Sequence, residues 1–250
     1  MFSSSLPLPE TFIVFDVSGS MAQFREPDTN AVARTFPLPP RPTVLGILAA
    51  ILGYDRNSYY DDILSPTKCW VHTECLTPYH TVVQKVQRFQ NNPDAPINFV
   101  TEQFLRPDTD TLRYRFWIGL RDRTIAHKLL NRIHHHQPVY PISLGPAYCL
   151  ATLHDAVYAT AHITQDAGPV WGLVPVDTIQ PGSLKLTPSL ITLTLPYHFT
   201  AQREGTNKRF LYDVYGHAID AAYTVPRIQL SAVLHHEEVS RCVIFPESAG

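Results

Sequence analysis

FIVFDVSGSMAQFREPDTNAVARTFPLPPRPTVLGILAAILG, residues 12–53, places a strand, a broken loop and a helix in one stretch of chain. Phe12 to Val17 is a short, mainly apolar run, the pattern of a buried strand. Pro27, Pro37, Pro39, Pro40 and Pro42 then forbid a helix directly after it. Helix becomes possible only at TVLGILAAILG, where Thr43 is the expected N-cap and Gly53 the residue past the C-terminus. Val44 to Leu52 is almost wholly apolar, so this short helix is expected to be buried.

Downstream, Thr67 to Thr73 alternates weakly and reads as a strand. Leu112 to Ile118 alternates clearly, with Leu112, Tyr114, Phe116 and Ile118 on one face and Arg113, Arg115 and Trp117 on the other. Arg121 to His136 reads as a helix, and Val139 to Leu144 as a fourth strand ending in the turn Gly145-Pro146. The order is β-α-β-β-α-β, the ferredoxin-like or RRM-like arrangement of an α+β fold. Residues 76–106 are unused in that count and form an insertion between the second and third strands. Within it, polar and basic residues alternate with Val82, Val83, Val86 and Phe89, and Asn91-Asn92-Pro93-Asp94 suits a turn. An extended β-hairpin arm is expected. Beyond Ala147 the chain reads as mainly β, with strands at Ala156–Ile163, Ser189–Leu195, Arg209–Tyr215, Arg227–Leu234 and Arg241–Phe245. The division is therefore 1–165, a ferredoxin-like lobe with its insertion, and 166–250, a β-rich C-terminal lobe.

Composition narrows the function. A hydrophobic share of 44% over 250 residues supports a sizeable core and argues against disorder. Twenty-two prolines against eleven glycines favour short strands and ordered loops. A net charge of −2 argues against a free-standing, nonspecific nucleic-acid binder and leaves room for a local basic groove. Cys69, Cys75, Cys149 and Cys242 form no CxxC pair, residues 1–10 lack a secretion signal's basic start and apolar core, and no run approaches membrane-spanning length. Reduced thiols, a cytoplasmic setting and no membrane partner are expected.

Two motifs invite a metal. VFDVSGSM, residues 14–21, matches the DxSxS signature of von Willebrand factor A domains, in which Asp16, Ser18 and Ser20 would offer oxygens to magnesium. That fold needs a long helix immediately afterwards, which the prolines prevent, so the stretch reads as a polar turn with Ser18 and Gly19 open to a close approach. His134-His135-His136 point in different directions on a helix, and His235-His236-Glu237-Glu238 lacks HExxH spacing. No metal and no cofactor are expected.

The opening block resembles the Cas-five family of CRISPR-associated RAMP proteins. Its members open with a strand, an A-x-F-R element, a proline-rich stretch and a helix of the form T-x-x-G-x-x-x-A-x-x-G. Here these are Ala22, Phe24 and Arg25, then Pro39, Pro40 and Pro42, then Thr43, Gly46, Ala50 and Gly53. VYPISLGPAYCLA, residues 139–151, is similar to a family turn through Pro141, Leu144, Gly145 and Ala151. EQFLRPDTDTLRYRFWI, residues 102–118, is similar to the segment that leads through a proline-containing turn into a central strand. DVSGSM departs from the pattern in being more polar. The resemblance implies a subunit at the foot of a Cascade complex that holds the 5′ handle of the guide RNA (crRNA). It implies contacts with the large subunit and first backbone subunit near target DNA, and a β-hairpin thumb over the guide. One subtype of the family cuts precursor RNA without metal. The C-terminal half here is most like the type I-B form, for which no catalysis is expected.

A single-stranded handle is gripped at its phosphates and stacked on aromatics. Phe24 and Arg25 offer a ring and a cation, Arg34 and Arg41 flank the proline loop, and the helix start at Thr43 and Gly46 offers backbone amides. Residues 113–132 hold six Arg or Lys against one acid, Asp122, with Arg113 and Arg115 on one strand face. Lys85, Arg88 and Phe89 on the arm and Gly145 at the turn complete the RNA-binding set with Ser18 and Gly19. Two alternatives remain open: a metal-independent endoribonuclease that processes precursor crRNA, since twelve His and twelve Tyr supply acid–base groups, and a von Willebrand A-like adhesion module.

Overall fold

The computed structural model describes residues 8–9, 11–27, 32–88, 98–164 and 168–249. In chain order the first half holds β1 (Phe12–Gly19), β2 (Phe24–Arg25), β3 (Val32–Ala33), β4 (Thr35–Phe36), α1 (Arg41–Leu52), β5 (Cys69–Cys75), β6 (Tyr79–Arg88), β7 (Asn98–Pro107), β8 (Leu112–Leu120) and α2 (Arg123–His134). The second half is β9 (Ala151–Thr164), β10 (Val174–Pro175), β11 (Leu190–Phe199), β12 (Gly205–Asp213), β13 (Arg227–Leu234) and β14 (Glu237–Val243). Among the described residues the chain is mostly β with two α-helices.

The main sheet runs β14-β13-β9-β1-β8-β5. Its centre is the first strand read from the sequence, paired antiparallel with β8 from Phe12↔Gly119 to Gly19↔Leu112 and with β9 on the other side. The connectivity β1-α1-β5-β8-α2-β9 is the β-α-β-β-α-β order expected. Ile13, Phe15, Val17, Tyr114, Phe116 and Ile118 pack against both helices in one core. Phe12, Val14 and Trp117 turn to the other face, into a second cluster with Ile228, Leu230, Val243 and Phe245.

That second cluster draws residues from both sides of position 165. Strand β13 hydrogen-bonds to β9, and Leu195, Tyr197, Phe210 and Tyr212 enter the first cluster, so the C-terminal strands complete the N-terminal core. The sheet also curls. Glu74 on the edge strand β5 accepts from Arg241 Nε on the opposite edge strand β14 at 2.6 Å, and from Trp117 Nε1 at 2.7 Å. Burial alone would raise the Glu74 carboxyl, but hydrogen bonding and charge from His72 and Arg241 outweigh it and bring it down to about 2.

Helix α1 starts three residues earlier than expected, at Arg41. Pro40 is its N-cap in extended conformation and Pro42 sits in the first turn, where a missing N–H costs nothing, so Thr43 is not the cap. Gly53 ends it as expected, at φ 83, with its N–H on Ala49 O at 2.8 Å. A Cβ there would lie 2.8 Å from Val139 Cγ2 as well, so glycine is required twice over. Helix α2 is capped by Asp122, whose carboxylate accepts from Thr124 N at 2.8 Å and Ile125 N at 3.2 Å.

The strand expected at 139–144 is absent. Val139 N and Tyr140 N instead donate to Ile51 O and Ala50 O, satisfying carbonyls that the end of α1 leaves open. The fourth strand is β9, which contains the expected Ala156–Ile163 and begins five residues earlier.

The insertion folds as a hairpin, β6 against β7 from Tyr79↔Pro107 to Arg88↔Asn98. Strand β3 joins β7 in parallel. Phe104 and Leu105 at its base are buried, while Val83 and Phe99 further out are 59% and 60% exposed. The expected tip, Asn91 to Asp94, and Phe89 lie outside the described residues.

Candidate nucleic-acid interface

An open groove of about 940 Å³ lies at one end of the sheet. Its walls are Gln23 to Arg25 after β1, the face of α1 from Pro42 to Ala50, Val86, Gln87 and Glu102 of the hairpin, and the loop Pro141–Tyr148. Arg56, Tyr59 and Tyr60 also line it, with Phe199 at the end of β11 and Arg203 from the β11–β12 connection. Three arginines line it against one acid, Glu102, and Arg25, Arg56 and Arg203 are all exposed.

Long-range contacts hold this shape. Gln23 N donates to Leu144 O at 3.0 Å, and Ala22 forms a bridge with Leu105 of β7. Gly145 has φ 113, and a Cβ on it would sit 2.0 Å from Gln23 O, so the loop is pressed onto the segment that carries Arg25. Arg203 Nε donates to Asn57 Oδ1 at 3.1 Å, and Ala201 N to Asp61 Oδ2 at 2.8 Å, tying the β11–β12 connection to the 55–61 segment.

Five of the expected RNA-binding residues meet here: Phe24, Arg25, Thr43, Gly46 and Gly145. Two of them do less than expected. The Phe24 ring is 2% exposed and packs edge-on against Tyr114 at 5.5 Å, so it cannot serve as a stacking plane. The helix start is a poor phosphate seat, because Pro42 has no N–H and Thr43 N already donates to Pro40 O at 2.9 Å.

Others lie elsewhere. Arg41 is 6% exposed and donates from Nη2 to Leu64 O and Cys69 O, with its guanidinium over the Tyr197 ring. It ties the start of α1 to the segment leading into β5 and is not available to phosphate. Arg115 is buried opposite Asp16 and donates to both carboxylate oxygens, at 2.7 and 3.0 Å. Its face of β8 looked exposed from alternation, but the curl of the sheet covers it. The same pair corrects the turn expected at DVSGSM: β1 continues through Ser18 and Gly19, both buried, and Ser18 Oγ hydrogen-bonds His154 Nε2 at 2.6 Å. Asp16, sealed by Arg115, offers magnesium nothing, which removes the von Willebrand reading of the motif. Arg113 shares this second face with Ser18, its pairing partner across β1 and β8. Arg34 pairs with Glu26 at 3.1 Å. Lys85 is exposed on β6 and does not line the groove, and Arg88 ends that strand.

Sequence reasoning missed Arg56, Tyr59, Tyr60, Tyr148, Phe199 and Arg203. Their only signal was type, a cation or aromatic in a loop; what unites them is tertiary.

The mostly β fold is similar to folds met in CRISPR proteins. One similar structure is a chain of a "CRISPR RNA-guided surveillance complex", with TM-score 0.50 at 14% identity, covering 85% of this chain and 91% of that one. Another is a CRISPR protein from Archaeoglobus fulgidus, with TM-score 0.50 at 13% identity, covering 92% and 98%. Comparison with curated proteins gives no match. Residues 12–103 match the family model described as CRISPR-associated protein (Cas_Cas5), and over them the family resemblance read from the sequence is shown.

Proposed function

We propose that this chain is an RNA-binding subunit of a type I CRISPR effector complex, most like the I-B form, and takes the 5′ handle of the crRNA into the groove. In this reading the β-α-β-β-α-β unit is a ferredoxin-like RAMP lobe, the β6–β7 hairpin its thumb, and the remaining surface meets the large and backbone subunits near target DNA. The observation that carries it is the groove itself. Three exposed arginines converge there from distant parts of a chain whose net charge is −2. A local concentration of cation in an otherwise acidic protein is what a polyanion partner selects. The family match over residues 12–103 supports the CRISPR setting.

Binding without cutting is part of the proposal. The described residues lining the groove include no histidine, and burial pushes the Tyr59 phenol above its usual range, which keeps it protonated and so withholds it as a base near neutral pH. The test replaces Arg25, Arg56 and Arg203 together by alanine and titrates a labelled handle RNA at several salt concentrations. The parent should bind and leave the RNA intact. Loss of three phosphate contacts should weaken binding and reduce the slope of log K against log salt by about 2. Equal affinity and slope for both proteins would refute the groove, and site-specific cleavage by the parent would refute the binding-only role.

A further inference from the structure

We propose that Tyr148 is the platform on which one unpaired base of the bound RNA stacks, and that Glu102 is the residue that positions it. This rests on the groove being the RNA site, and it adds the element that phosphate contacts alone do not supply.

Among the described aromatics of the groove, Phe24, Tyr59 and Tyr60 are 2%, 6% and 4% exposed and Phe199 is half-buried, whereas Tyr148 is 50% exposed. A ring with half its surface open costs nothing to uncover. Tyr148 is also held still. Its loop is closed on itself by Leu144 N to Cys149 O at 2.8 Å and Cys149 N to Pro146 O at 2.9 Å. The loop is then pinned to the neighbouring segment at Gln23 by the close approach of Gly145. The ring is tilted 59° to Phe104, 6.1 Å between centroids, and its hydroxyl donates to Glu102 Oε2 at 2.8 Å.

Glu102 is the puzzling residue of the groove. It is 1% exposed, and a carboxylate on the floor of a site for a polyanion opposes the ligand's charge. Its placement makes sense as an anchor. Glu102 lies on β7, the middle strand of β3-β7-β6, so its backbone is fixed from both sides. A charged acceptor on a fixed strand holds a phenol more firmly than a neutral one. Fixing the ring before RNA arrives removes the ordering cost that binding would otherwise carry. Stacking on such a ring tolerates any base, because every base has a π-face.

The experiment uses single-stranded octanucleotides of uridine carrying one 2-aminopurine, whose fluorescence falls when it stacks. Tyr148→Ala should weaken binding roughly five- to 150-fold and abolish the quenching seen with the parent. Tyr148→Phe keeps the ring but not the hydroxyl that Glu102 holds, and should lose the same part of the quenching as Glu102→Leu. Glu102→Gln keeps an acceptor for the hydroxyl and should bind nearly as the parent does, while Glu102→Leu should lose part of the quenching at an unchanged urea midpoint. Should Tyr148→Ala bind and quench like the parent while the Arg25/Arg56/Arg203 variant is weakened, the platform is refuted and the groove stands. If neither variant is weakened, both readings fall. Unchanged quenching in Glu102→Leu refutes the positioning role of Glu102.

Discussion

Replacing Glu74 by Gln tests whether the sheet is closed by charge. The carboxylate is 7% exposed and receives Trp117 Nε1 on one oxygen and Arg241 Nε on the other. Glutamine keeps one acceptor, but its amide must turn N–H groups toward the second donor, and the Arg241 guanidinium loses its counter-charge. The size of the effect follows from the proton. A fall from the usual 4.5 to about 2, which His72 on the same strand drives first and Arg241 second, corresponds at about 1.4 kcal/mol per tenfold change to about 3 kcal/mol of stability for the whole cluster. Removing one member of a buried pair costs about 3–5 kcal/mol, which agrees. For a chain of this size that is a loss of about 6–12 °C in melting temperature. The folded value lies below the unfolded one, so the contribution is complete above pH 4.5 and disappears as pH falls toward 2. Urea unfolding of parent and variant at pH 7 and near pH 2 separates the cases. The gap should be about 3 kcal/mol at pH 7 and should nearly close in acid. An equal gap at both pH values would show that shape, not charge, holds the edges together. A gap below about 1 kcal/mol at pH 7 would mean that the contact is no more than a surface ion pair.

Asp16→Ala alone should cost about 3–5 kcal/mol, because it strands the buried Arg115 guanidinium, whereas Asp16→Leu with Arg115→Met should recover most of that loss. Urea midpoints decide it: a double variant no better than the single one would mean that the pair does not set the cost. Gly145→Ala should destabilise by about 2 kcal/mol or more, from its positive φ and the collision with Gln23 O, and should weaken RNA binding by shifting the loop. A melting temperature within about a degree of the parent would contradict the close approach.

Local chemistry made part of this molecule legible in advance. Strands β1 and β8 announced themselves through apolar runs and alternation, α1 through its prolines and Gly53, and β13 was bounded correctly at Arg227 and Leu234. The error at 139–144 has a physical cause. An apolar segment that caps a helix looks locally like an apolar segment that joins a sheet, and only the positions of the carbonyls at Ala50 and Ile51 distinguish them. Arg41 and Arg115 were misjudged for a related reason. An arginine's role depends on whether a carbonyl or carboxylate waits in the fold, and Leu64, Cys69 and Asp16 are remote from it in sequence. The β13–β14 turn gave no glycine signal at all, since His235 and His236 themselves take the left-handed conformation, at φ 54 and 67. Of the groove, the motif block located one wall; the opposite wall at Arg203 carried no mark.

The groove's mixed origin bears on when the protein becomes competent. Its motif-bearing wall is translated early, yet Phe199 and Arg203 come from near the end of the chain, and β1 itself waits for β8 and β9 before either of its edges is paired. At synthesis rates of about 5–20 residues per second, roughly 10–35 seconds separate the emergence of Arg25 from that of Arg203. Through that interval the residues of the first wall exist without the groove. A chain that stops before residue 199 therefore carries residues 12–53 but lacks the part of the groove that Phe199 and Arg203 supply.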